Sequence, residues 1–181
     1  QYVMREVRFA VEQKTFQMYY QPIIDCRENG FVSAESLIRL VGRDGTFISP
    51  NEFIPMAEES GLIDDISWIV LEKVCEFLGE HPALPIKTIS VNMTGQQVLN
   101  PVFEERISEN LERYHVAGER LRIEITERTV TENFDKVKQV MERLGEKGIR
   151  FYLDDFGTGY SNLSSMLSLP FEVIKFDQSL V

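Results

Sequence analysis

Acidic side chains recur at the ends of apolar, β-rich runs in this sequence. Glu35 lies within Phe31 to Leu40, Asn92 closes Thr88 to Asn92, and Glu124 sits in Leu121 to Thr126 with Glu127 just beyond. Asp154 and Asp155 follow Ile149 to Leu153, and Lys175 and Asp177 end the run that begins at Val173. In parallel α/β folds the carboxyl ends of the strands carry the site, so these runs bring carboxylates, an amide and an amine to one rim. Alternation puts Glu124 and Thr126 on one face of their strand and Ile123 and Ile125 on the other, so Glu124 faces the interior. A buried carboxylate needs a partner, and like charges crowded together raise one another's pKa. A divalent cation resolves both problems. The donors are hard oxygens and the only histidines, His81 and His115, stand outside the pattern, which favours Mg²⁺ or Mn²⁺ over Zn²⁺. Adjacent Asp154 and Asp155 suit two ions about 4 Å apart, the arrangement used for phosphoryl transfer, so phosphodiester cleavage is the natural reaction.

Taken singly, each residue also has a structural role. A strand Glu is often a surface group, an Asp pair before a helix often caps it, Asn92 suits a turn, and Lys175 or Arg39 suits a rim ion pair. Six such explanations must hold together for the rim to be inert.

The elements that position these residues alternate. Val3, Val7, Ala10 and Val11 share a helical face, and the β-rich run Met18 to Ile24 follows. Asn29-Gly30 is a hairpin signal that pairs this run antiparallel with Phe31 to Leu40. Ser49, Pro50 and Glu52 read as N-cap, N1 and N3 of a short helix ending near Gly61, and Asp64 or Asp65 reads as the start of the next. In that helix Ile66, Ile69, Val70, Val74, Phe77 and Leu78 form one stripe, closed by His81-Pro82. Thr94 to Gln97 reads as a capping box, Pro101 to Tyr114 as a helix, and Val137, Val140, Met141 and Leu144 as a helix face. Repeated strand–helix–strand order implies a parallel sheet covered by helices.

Composition excludes several classes. Of 181 residues, 19 are Lys or Arg and 29 Asp or Glu, a net charge of −10 that disfavours DNA as a partner. No apolar run is long enough to span a bilayer, so no membrane contact is expected. Cys26 and Cys75 do not make a disulfide framework, and a reducing cytoplasm is the expected location, including the cytoplasmic part of a membrane-anchored protein.

Several ordered motifs resemble one family. Glu35-Ser36-Leu37-Ile38-Arg39-Leu40 is similar to the motif that names the EAL domain, the bacterial cyclic di-GMP phosphodiesterase. Tyr20-Gln21-Pro22-Ile23 resembles its YQPI, Phe53 to Glu58 its FIPxAE, and Ser90 to Thr94 its VNLS. Glu124 to Glu127 resembles ExTE, Asp154 to Ser161 resembles DDFGTGYS, and Lys175-Phe176-Asp177 resembles KxD. The resemblance implies an α/β fold, a modified TIM (β/α)8 barrel whose first strand is antiparallel. It implies two Mg²⁺ or Mn²⁺ ions held by Glu35, Asn92, Glu124, Asp154 and Asp155. Lys175 would assist the water nucleophile, with Glu35, Asp154 and Asp155 also counted as catalytic. Gln21, Arg39 and Asp177 would contact the cyclic dinucleotide, and Glu127 would steady the loop containing Gly157, Thr158 and Gly159. The product would be linear pGpG; the implied partners are cyclic di-GMP, a second copy in a homodimer and a fused sensory or GGDEF domain.

Two departures bear on this. Ser36 stands where the family has Ala, and Leu40 where it often has Trp. Six strands are counted against eight in a TIM barrel, so residues 1–181 are expected to be an EAL domain lacking the C-terminal quarter or so, with its last catalytic Glu and a guanine-contacting Gln. The alternative to hydrolysis is a catalytically inactive cyclic di-GMP receptor or interaction module. An enolase-type barrel enzyme fits less well because of the Asp154 to Ser161 loop.

Overall fold

A computed structural model describes residues 1–27, 29–157, 166 and 168–177. The amphipathic start of the chain forms α1 (Tyr2–Gln13), which buries Glu6, Val7 and Ala10 and ends at Lys14, φ 51°. β1 (Gln17–Asp25) and β2 (Gly30–Val41) then pair antiparallel, with Asn29 at φ 49° supplying the left-handed residue the turn needs. A strand the sequence did not announce, β3 (Phe47–Ile48), folds back on Leu40 and Val41.

Next come α2 (Pro50–Glu59), α3 (Ile63–Glu80), β4 (Thr88–Asn92), α4 (Gly95–Val98) and α5 (Phe103–Arg113). A 3₁₀ turn over Gly118–Arg120 leads to β5 (Leu121–Thr126), followed by α6 (Glu127–Glu132), α7 (Phe134–Glu146), β6 (Arg150–Phe156) and β7 (Phe171–Phe176). The sheet runs β1-β2-β4-β5-β6-β7, with β3 pairing only with β2. Every pairing from β2 to β7 along this path is parallel. Among the described residues this is the modified TIM-barrel arrangement with an antiparallel first strand, built to six barrel strands of eight.

Alternation divides the sheet into two unlike faces. Ile89, Val91, Ile123, Ile125, Phe151 and Leu153 are buried in one core with Leu71, Val74, Leu78, Ile107, Val137 and Leu144 of the helices. The opposite face carries Ser90, Arg122 and Glu124, all buried and all polar. Arg122 is paired there with Glu172 at 2.8 Å. A TIM barrel interior is ordinarily filled with branched apolar residues, so this polar face marks where the chain gives up packing for chemistry.

Some local expectations change. Ser49 precedes α2 in extended conformation, but its hydroxyl makes no capping bond. Asp64 does not begin α3: Leu62 is the N-cap and both Asp64 and Asp65 lie in the first turn. The helix read from Pro101 starts at Phe103, because residues 101 and 102 form a turn. Cys75 is buried, which pushes its thiol up to about 12, and Cys26 is exposed. Trp68 packs on Phe103, with ring centroids 5.8 Å apart. No helix among the described residues is long and apolar enough to cross a membrane.

Candidate active site

Strand register brings the candidate residues to one level. Gln21 lies opposite Glu35 across β1 and β2, Asn92 opposite Glu124 across β4 and β5, and Thr126 opposite Asp154 across β5 and β6. Side chains then close the set. The Lys175 ammonium donates to Glu35 Oε2 at 2.7 Å and to Glu124 Oε2 at 2.6 Å. The Asn92 amide donates to Glu35 Oε1 at 3.4 Å. Four residues from four strands thus share one hydrogen-bonded cluster.

Charge and burial set the protonation states. Glu124 is fully buried, and burial pushes its carboxyl above the ordinary range against the pull of Lys175 and the Ser90 hydroxyl. Burial alone would lower the Lys175 pKa, but the bonds to Glu124 and Glu35 outweigh it and hold the amine above its ordinary value. Lys175 is therefore an ammonium at neutral pH. Asp155 is raised by burial first, then by the negative charges of Asp154 and Asp177, against Lys175. Its backbone is left-handed, φ 54°, which is uncommon for a non-glycine residue and clusters at functional sites.

A cavity of about 520 Å³ opens beside this cluster, with Arg39, Asn92, Glu124, Asp154 and Asp155 in its lining. Its other wall is apolar and comes from α2 and α3, through Ile54, Ile63, Ile66 and Val70. The Arg39 guanidinium lies 5.2 Å from the Tyr19 ring centroid and donates to the Ile38 carbonyl at 2.8 Å, which fixes it at the cavity edge. Gln21 is exposed on β1 and is not part of that lining. Glu127, 2% exposed, accepts the Gly157 N–H at 2.7 Å and so ties the start of α6 to the turn after β6. Asp177 follows β7, and its N–H donates to the Phe156 carbonyl at 3.1 Å. Thr158 and Gly159 lie outside the described residues.

Sequence reading missed three contributors. Ser36 donates to the Ser90 carbonyl at 2.6 Å, Ser90 abuts Glu124, and Asp64 accepts the Thr94 hydroxyl at 2.9 Å. Polar residues inside strands were the available signal for the two serines.

Oxygen donors dominate the cluster, and Glu124 Oε1 is buried without a hydrogen-bond partner among the described residues. An orphaned, fully buried carboxylate oxygen beside other hard donors suits a divalent cation. Among the described residues no three His, Cys, Asp or Glu side chains form a ligand cluster by themselves; Lys175 stands between Glu35 and Glu124.

A family model described as EAL domain matches residues 4–181. The chain belongs to the EAL domain family. Signaling protein YkoW of Bacillus subtilis is 35% identical over 176 residues, covering 97% of this chain and 22% of the relative. Cyclic di-GMP phosphodiesterase PdeF of Escherichia coli is 30% identical over 180 residues, covering 99% of this chain and 24% of the relative. Among solved structures, the PaMucR phosphodiesterase complexed with c-di-GMP superposes with a TM-score of 0.88 at 28% identity, covering 98% of this chain and 72% of that one. The chain therefore spans about a quarter of the length of these curated relatives, and most of the EAL domain that has been solved.

Proposed function

We propose that this EAL chain hydrolyses cyclic di-GMP to linear pGpG by attack of water on one phosphodiester. The observation that carries the reading is the cluster of Glu35, Asn92, Glu124 and Lys175 at the edge of the cavity that Asp154 and Asp155 line. The phosphodiesterase names of relatives at similar identity support it. We further propose that residues 1–181 are one EAL domain lacking its C-terminal quarter, since they cover 72% of the solved PaMucR chain.

Glu35, Asn92, Glu124, Asp154 and Asp155 would hold two Mg²⁺ or Mn²⁺ ions, which supply Lewis acidity and a more acidic bound water. The rest falls to the side chains. Lys175, held as an ammonium, orients water or phosphoryl oxygen by donating hydrogen bonds; it is not a proton acceptor. Arg39, and Gln21 and Asp177 at the rim, would orient the dinucleotide. The apolar wall from α2 and α3 excludes water from one side of the cavity. Glu127 would hold the turn at Gly157.

The test is turnover of cyclic di-GMP with Mg²⁺ or Mn²⁺, for this chain and for one extended by about 70 residues toward eight strands. The reading expects pGpG from the extended chain, and a loss of at least about a hundredfold in Asp154→Asn. Tight dinucleotide binding with no turnover in either chain would replace hydrolysis with a receptor function.

A further inference from the structure

Asp64 belongs to the first turn of α3, yet its carboxylate serves another element. Asp64 Oδ1 accepts the Thr94 hydroxyl at 2.9 Å, and the Asp64 carbonyl accepts the Gln97 side-chain amide at 3.1 Å. Thr94 and Gln97 meanwhile cap α4 reciprocally: the Gln97 N–H donates to Thr94 Oγ1 at 3.2 Å, and the Thr94 N–H donates to Gln97 Oε1 at 3.1 Å. Gln97 is 2% exposed, so water is no substitute partner for its amide.

A threonine hydroxyl has one hydrogen to give. Here it goes to Asp64 while the oxygen accepts from α4, which leaves the rotor a single orientation. Asn92 and Met93 precede this lock directly, and the Met93 N–H donates to the Glu124 carbonyl at 3.0 Å. The segment from Asn92 to Thr94 is thus held to β5 on one side and to α3 on the other.

We infer that Asp64 is a positioning residue: through Thr94 it fixes the turn that aims the Asn92 amide at Glu35. This rests on the hydrolase reading, in which Asn92 and Glu35 are ion ligands. Groups that orient ligands from behind typically change metal affinity by about 10- to 100-fold when removed.

The experiment compares the unmodified chain with Asp64→Ala, Asp64→Asn and Thr94→Val. Mn²⁺ alone is titrated and free ion followed by electron paramagnetic resonance, alongside hydrogen exchange of the amides from Met93 to Gln97. Protection of the β6 amides reports an intact fold. In Asp64→Ala the Mn²⁺ dissociation constant should rise about tenfold and the Met93 to Gln97 amides exchange faster. Asp64→Asn keeps an accepting oxygen and should resemble the unmodified chain, while Thr94→Val, which removes the bond from the other side, should resemble Asp64→Ala. In turnover by the chain extended toward eight strands, kcat falls in Asp64→Ala while KM for cyclic di-GMP holds. Unchanged Mn²⁺ affinity in a folded Asp64→Ala overturns the inference, even with faster exchange, because the contact is then structural only. A loss of equal size in Asp64→Asn also overturns it. If the unmodified chain takes up no Mn²⁺, the metal-dependent hydrolase reading is what fails, and unaltered exchange in Asp64→Ala would separately remove the latch.

Discussion

Lys175 holds apart two acids that repel each other, and one of them has no access to water. Replacing it with Met leaves Glu124 buried without a counter-charge, a change that costs roughly 2 to 3 kcal/mol; the figure is at or below the usual range for a broken buried pair because Lys175 and Glu35 are each 22% exposed. The pH dependence has a definite sign. A carboxyl whose folded pKa is raised contributes stability that is present below its ordinary value of 4.5 and lost as pH rises through the raised value. Without Lys175 that rise is larger, so the deficit of Lys175→Met, measured by urea denaturation in chelator, should shrink steadily from pH 7 toward pH 4.5. A deficit independent of pH would sink the account. Ser36 makes a smaller case. Its hydroxyl adds a bond to the Ser90 carbonyl at 2.6 Å, next to Glu35↔Ser90, the last of three register pairs between β2 and β4. Ser36→Ala should therefore cost about 1 kcal/mol of unfolding free energy in a urea titration, where a freely solvated serine would cost almost nothing.

At the scale of elements, helix propensity and close packing oppose each other in α3. Ala at Gly79 would ordinarily stabilise a helix interior by about 1 kcal/mol. A Cβ there, however, would stand 2.3 Å from the Tyr114 carbonyl oxygen, at the point where α3 passes the end of α5. Contact decides the sign, so Gly79→Ala should lower the thermal midpoint; a rise would mean that α5 yields freely. The same competition explains what the sequence could and could not announce. The six longer strands, their polar ends and the antiparallel first hairpin were legible, because period-two alternation and the Asn29-Gly30 turn are local signals. The roles of Asp64 and Ser49 were not. Both have the side chain of an N-cap, and only the approach of α4 diverts the Asp64 carboxylate to Thr94. β3 has two residues and exists only through its pairing with β2, so no window of sequence could reveal it. The α2 and α3 wall of the cavity was likewise invisible: Ile66 and Val70 read as part of one apolar helix stripe until the gap beside them is seen.

For the molecule as a whole, α1 is joined to the far end of the Glu35 strand. Glu6, 3% exposed, accepts from the Arg43 Nη2 at 2.8 Å, Nε at 3.0 Å and main-chain N–H at 3.1 Å. The Arg43 hydrogen bonds hold the Glu6 carboxyl down to about 2. A depressed carboxylate contributes stability that is present above its ordinary 4.5 and is lost as pH falls toward 2. Glu6→Gln should accordingly be less stable than the parent at pH 7, and the two stability curves should converge as the pH approaches 2; parallel curves would show that the pair adds nothing.

The bond between Glu35 and Lys175 joins residues 140 positions apart. At about 5 to 20 residues per second of synthesis, roughly 7 to 28 seconds separate the appearance of the acid from that of its cation. Glu124 is made in that interval too, on a strand whose other face is ready to pack as soon as α7 emerges. A nascent chain halted before β7 must either keep β5 loose or carry a proton on that acid. A strand made well after β2 and β5 therefore supplies the charge that allows them to settle, and a product ended before β7 is exposed to quality control at its own centre.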